Sequence, residues 1–165
     1  FFKNFASACL FILTCFVYPY VVAGKADTVR FSAVATLALF FLIFEHTYEI
    51  LYDFRDLEGD RIEGIPTYPV AHGPVAARRL IAALLWLSAG VMLAGVSTRT
   101  LGLREGLMIF APLVQWLFYR RRIAVGLTSR DCVLLTHCGS ALLALFLIGT
   151  ALWARAGLPS NVYLP

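Results

Sequence analysis

Seven of the chain's ten acidic residues fall between positions 45 and 63: Glu45, Glu49, Asp53, Asp56, Glu58, Asp60 and Glu63. If the segment is one helix at 100° per residue, Glu45, His46, Glu49, Asp53, Asp56 and Asp60 project within an arc of about 100°, and Arg55 and Arg61 point elsewhere. Carboxylates stacked at i, i+3 and i+4 repel one another and weaken a helix. Those that reach back into an apolar run cost roughly 2.5–3.5 kcal/mol each if ionised at bilayer depth. A divalent cation offsets both penalties by turning repulsion into shared coordination. All-oxygen donors suit Mg²⁺, Mn²⁺ or Ca²⁺, and magnesium usually bridges carboxylates to the phosphates of a substrate. The stripe therefore points to a metal-assisted site for a phosphate-bearing ligand at a membrane surface. A charged loop that is merely solvated is the plainer reading; the one-faced spacing and the acids inside the apolar run argue against it. His46 alone is more often a hydrogen-bonded polar residue than a ligand. Gln115 and His137 are mid-helix polar groups, expected to pair with a neighbouring helix or to face a cavity.

These residues must be positioned by apolar elements. The chain is 60% hydrophobic with a mean hydropathy of +0.78, well above the composition of an ordinary soluble domain. Five apolar runs stand out: Phe5 to Ala23 with Pro19 as a kink, Phe31 to Tyr52, Ala76 to Val96, Leu107 to Tyr119, and Cys132 to Trp153. At about 1.5 Å per residue all but the fourth cross a hydrocarbon core of about 30 Å. The fourth is short unless it starts earlier, through Leu101-Gly102-Leu103. The expected fold is all-α, a polytopic transmembrane bundle of about five spanning helices forming a single membrane domain over residues 1–165. The aspartate-rich connection occupies residues 53–75. Small residues such as Ala89-Gly90, Ala94-Gly95 and Gly139-Ser140 suit close helix packing.

The net charge of +4 resides in the connections. Lys3, Arg55, Arg61, Arg78, Arg79, Arg120, Arg121, Arg122 and Arg130 fall on one side, and Lys25, Arg30, Arg99, Arg104 and Arg155 on the other. The positive-inside rule puts the aspartate-rich connection in the cytoplasm, and the expected location is a bacterial inner membrane. Arg120-Arg121-Arg122 reads first as a topology anchor and second as a phosphate-binding run. No aromatic-basic stripe or recognition-helix pattern points to nucleic acid. Cys9, Cys15, Cys132 and Cys138 lie in or beside apolar runs without CxxC or zinc spacing, and read as small hydrophobes. The chain opens Phe1-Phe2-Lys3, which suggests processing or a piece of a longer protein. A secretory signal ending near Val21-Val22-Ala23-Gly24 is a weaker alternative, because the apolar run is long for a signal core. Glycine-rich phosphate loops, GxSxG elbows and HExxH helices do not occur.

The run Glu49-Ile-Leu-Tyr-Asp53-Phe-Arg-Asp56-Leu-Glu-Gly-Asp60-Arg61-Ile-Glu-Gly64-Ile-Pro-Thr67-Tyr-Pro69-Val-Ala-His-Gly73 resembles the second aspartate-rich motif of the UbiA superfamily of membrane prenyltransferases. Asp53, Asp56 and Asp60 meet its DxxDxxxD spacing, and the Gly-Ile-x-Thr-x-Pro-Val trailer follows. The resemblance implies that the five helices correspond to helices five to nine of a nine-helix bundle, its C-terminal part. It also implies Mg²⁺ held by Asp53, Asp56 and Asp60, an isoprenyl diphosphate whose ionisation gives an allylic cation, and transfer to an aromatic or lipid acceptor. Arg61 and Glu49 are the implied substrate-binding residues, and Lys3 matches a basic residue common at that place. The family's first motif, Asn-Asp-x-x-Asp-x-x-x-Asp, is absent: Asn4 and Asn161 are the only asparagines and neither precedes aspartate. Catalysis is therefore expected only together with a missing N-terminal part. The alternative is a shortened, non-catalytic membrane subunit that binds a partner complex, quinone, pigment or lipid.

Overall fold

The computed structural model of the chain describes residues 2–22, 30–159 and 161–164, and among them there are helices and no strands. The first apolar run forms α1 (Phe2–Ile12), a π-helical turn (Leu13–Val17) and α2 (Tyr18–Val22). Pro19 has no N–H to give the preceding turn, and its ring crowds the carbonyl four residues back. The wider π-turn just before it relieves that clash, so the expected kink is a change of helix type. Ala23 and Lys25 lie outside the described residues, as does the Ala23-Gly24 pair.

The second run becomes α3 (Phe31–Arg55), three residues longer than the apolar stretch. The connection then folds into α4 (Leu57–Glu63) and α5 (Tyr68–His72) before α6 (Pro74–Ser97). Pro74 sits at the first turn of α6, where its missing N–H leaves no bond unmade. The fourth run starts earlier and ends later than its apolar core: α7 (Leu103–Gly106), a 3₁₀ turn (Leu107–Ile109) and α8 (Phe110–Val125) follow without a break. The 3₁₀ turn precedes Pro112, as the π-turn precedes Pro19. The last run is α9 (Ser129–Arg155), opened by a capping box in which Thr128 and Asp131 satisfy each other's end of the helix.

Among the described residues four helices are long and apolar enough to span a membrane: Phe5–Val22, Phe31–Arg55, Pro74–Ser97 and Ser129–Arg155. The fifth expected span, α8, is shorter as a regular helix and carries Arg120, Arg121 and Arg122 in its last turns. The helices α3, α6, α8 and α9 pack in a ring, α3 against α6 most extensively, and α1 lies outside on α3. Phe40, Phe44, Tyr48 and Leu51 of α3 recur at helical spacing, and so do Ala77, Ile81, Leu85, Ala89 and Met92 of α6; all are buried. Small residues on the α6 face let the two backbones approach. The first run touches the ring through Ala8 of α1 and through Phe16 of the π-turn, whose ring lies 5.1 Å from that of Phe41.

Cross-helix bonds fix which ends lie together. Ser129 Oγ donates to the Arg55 carbonyl at 3.2 Å, and the Tyr119 hydroxyl donates to the Arg78 carbonyl at 2.9 Å. Arg55, Arg61, Arg78, Arg79, Arg120 to Arg122 and Arg130 therefore gather at one end. At the other end the tail returns to α7: Leu103 N donates to the Val162 carbonyl at 2.7 Å, and Arg30 stands 4.8 Å from the Tyr163 ring centre.

Candidate functional site

Helix α3 carries the acidic stripe from the bundle interior to its rim. Glu45 and Glu49 are half-buried, and His46 and Asp53 are buried. The Glu49 carboxylate accepts a hydrogen bond from Ser7 Oγ at 2.7 Å, which ties α1 to α3. The ring of His46 meets Phe5 edge-on at 6.3 Å. Asp53 is 5% exposed and belongs to the last full turn of α3.

The single continuous helix assumed for the six-residue arc does not continue past Asp56. Asp56 caps both helices, ending α3 and starting α4, with φ −97° and ψ 4°. Its N–H still donates to the Tyr52 carbonyl at 3.1 Å, and its carbonyl accepts from Asp60 N at 2.9 Å. One hydrogen-bonded turn thus separates Asp53 from Asp56 and another separates Asp56 from Asp60, but the helix axis changes between them. Aspartate is a preferred N-cap residue, and that was the available signal for a break. The side chain does not cap, however. Arg55 takes it in a two-pronged grip, Nε to Oδ1 at 2.8 Å and Nη2 to Oδ2 at 2.7 Å. Arg55 is the site residue that helical projection missed, because that projection pointed it away from the carboxylates.

Asp60 is half-buried on α4. Arg61 is exposed and lies 4.0 Å from Glu58, a loose pair one turn apart. Gly64 closes α4 at φ +69°, a left-handed conformation that glycine adopts without strain. Ile65 N then reaches back to the Asp60 carbonyl at 2.8 Å. Thr67 and Pro69 of the trailer are buried and start α5, and the Thr67 hydroxyl has no hydrogen-bond partner among the described residues. The connection packs on the bundle as two short helices, which is firmer than a solvated loop.

Gln115 is buried and accepts the Tyr48 hydroxyl at 3.3 Å, so it pairs α8 with α3. His137 does not reach across: its ring lies on the surface of α9, with Nδ1 2.8 Å from the Val133 carbonyl of the same helix. Cys132 is buried in the core.

Among the described residues no three His, Cys, Asp or Glu side chains converge as a metal cage. A magnesium ion asks for less: one or two carboxylates, its remaining positions filled by water and phosphate oxygens. The donor set of Asp53, Asp56 and Asp60 is all oxygen and sits at the helix-bundle rim, so its chemistry fits that ion. The end of α3, α4 and α5 could bring a hydrated divalent cation and an anionic headgroup to the mouth of an apolar bundle.

Helices of spanning length joined by a folded acidic connection make this an integral membrane protein. A family model described as the UbiA prenyltransferase family matches residues 1–135, and the chain belongs to that family. No curated protein and no solved structure matches it. Membrane prenyl transfer is the activity of the family, with isoprenyl diphosphates and hydrophobic acceptors as substrates.

Proposed function

We propose that residues 53–75 form one wall of a prenyltransferase site, in which Asp53, Asp56 and Asp60 hold Mg²⁺ and, with it, the diphosphate of an isoprenyl donor. The observation that carries this reading is the position of the three aspartates. One is buried at the end of a spanning helix and the other two follow at successive hydrogen-bonded turns, in a chain of this family. Bound there, magnesium would neutralise charge developing on the leaving diphosphate. Arg61 would add a cationic contact from the exposed face of α4. Glu49 would act one turn deeper, held by Ser7. A cavity of about 290 Å³ between α3, α8 and α9, walled by Phe40, Phe44, Phe110 and Phe146, would take an apolar chain. Phe44 and Asp53 are nine residues apart on α3, about 14 Å along the axis. That order, anionic head at the rim and tail in the interior, is the order of an isoprenyl diphosphate. It would also keep water from the reacting end. The nine basic residues on the acidic side support a cytoplasmic orientation. Acidic groups that complete the opposing wall would come from beyond these residues.

The test is prenyl transfer by the full-length protein in bilayers with a labelled isoprenyl diphosphate. Activity should require Mg²⁺, disappear on chelation, and be lost in Asp53→Ala and in Asp56→Ala. Transfer that survives both substitutions would refute the site. Stable copurification with a larger complex and no diphosphate turnover would favour the non-catalytic subunit instead.

A further inference from the structure

A groove of about 220 Å³ runs between α8 and α9 at the same end of the bundle, lined by Phe118, Arg122, Asp131, Leu134, Leu135 and Cys138. Its lining comes from these two helices, so it is separate from the aspartate rim on α3 and α4. Phe118 is 47% exposed and Leu134 50%, whereas Gln115 and Tyr119 of α8 turn inward. The groove therefore opens on the outer, lipid-facing side of the bundle. Its mouth is cationic: Arg122 lines it, and Arg121 and Arg130 neighbour it in sequence, against Asp131 alone, whereas Arg120 lies over the Trp116 ring on the α6 side. One oxygen of Asp131 is engaged by the Thr128 N–H and hydroxyl, at 3.1 and 2.7 Å. The other lies 3.4 Å from Arg122 Nε, and the Arg122 side chain remains 56% exposed. A guanidinium carries five N–H donors, so this single long contact orients Arg122 across the mouth without exhausting it. Arg121 lies three residues after Phe118, and Arg130 four before Leu134, spacings that put each on the same helix face as the groove wall.

We infer that this groove holds an anionic phospholipid of the surrounding leaflet. Its phosphate lies against Arg122, with Arg121 and Arg130 beside it, and one acyl chain runs along Phe118, Leu134 and Cys138. The argument is charge complementarity in a fixed order of depth. The cations sit at the helix ends, and apolar walls begin one turn deeper, about 5 Å along each axis. A phospholipid presents charge and chain in that order, and basic pockets between membrane helices bind such headgroups. A free phosphate would use the mouth and none of the walls.

The experiment is native mass spectrometry of the full-length protein released from vesicles of equal parts phosphatidylcholine and phosphatidylglycerol. Phosphatidylglycerol should be retained preferentially, and less so as ionic strength rises. Arg122→Gln and Arg130→Gln should each lower that retention roughly fivefold. Leu134→Trp, which fills the groove and keeps every charge, should lower it too, while Arg155→Gln at the other end should leave it unchanged. Equal retention of the two lipids, or retention unaffected by salt in the unaltered protein, would overturn the inference. So would displacement of the lipid by glycerol 1-phosphate at comparable concentration, which would mark a site for soluble phosphate.

Discussion

If Asp56 ligates a metal ion as proposed, Arg55 and that ion compete for the same carboxylate, and replacing Arg55 with glutamine exposes the competition. The Arg55–Asp56 pair has two charge-assisted bonds, at 2.8 and 2.7 Å, but its side chains are 40% and 49% exposed. Water screens such a pair, and even good geometry makes it worth about 1 kcal/mol at most. A cation that takes Asp56 as a ligand must first displace the guanidinium, which can remain over the Tyr52 ring, 5.0 Å away. Arg55→Gln should therefore tighten divalent-cation binding by up to about fivefold, the ratio that corresponds to about 1 kcal/mol. The assay is an electron paramagnetic resonance titration of Mn²⁺ into the full-length protein without diphosphate. Removing a positive charge nearby also favours a cation at long range, so Asp56→Asn serves as the background control. Tightening that comes from freeing Asp56 should be absent there, while a general charge effect should persist. Unchanged or weaker Mn²⁺ binding in Arg55→Gln, with helix content preserved, would show that Asp56 is not a ligand.

Gly139→Ala should destabilise the bundle. A methyl group there would overlap the phenol of Tyr48, which is 7% exposed; overpacking costs about 1–3 kcal/mol, and loss of the Tyr48–Gln115 bond adds about 1 kcal/mol. Thermal unfolding of the reconstituted protein should show this, and the substitution should be nearly neutral in a Tyr48→Ala background. Thr128→Ala removes the capping box of α9 at a cost of about 0.5–2 kcal/mol, visible as faster amide exchange in the first turn of that helix. Tyr119→Phe should cost about 1 kcal/mol by removing the hydroxyl's hydrogen bond to the Arg78 carbonyl, read from the same unfolding curves.

The apolar runs were legible in the sequence because lipid demands long uninterrupted stretches, and α3, α6 and α9 each begin and end within a few residues of them. What periodicity could not carry was backbone geometry. Projection around one helix presumes that the helix continues, and the break at Asp56 is decided locally, by a residue equally able to extend α3 or to start α4. Pro19 announced a disturbance, and only packing determined that it becomes a π-turn; the 3₁₀ turn before Pro112 was not anticipated. The helical start of the fourth run, at α7, was hidden because Arg104 and Glu105 interrupt the apolar pattern, yet they pair with each other at 2.7 Å and the helical path runs through them. Within the acidic stripe, residue types and order were readable, whereas the neighbours that engage them were not. Ser7 lies 42 positions from Glu49, and no local pattern links the two.

The double role of Asp56 divides the acidic motif mechanically. Asp53 is mounted on a 25-residue spanning helix wedged into the ring, while Asp60 is mounted on a seven-residue helix at the surface. A small rotation at the single residue between them would open or narrow the gap between the two carboxylates and leave the buried layers of α3 and α6 undisturbed. Under the proposed function the motif would work as an adjustable aperture: a fixed jaw anchored in the bilayer and a light jaw that follows the size of what is held between them.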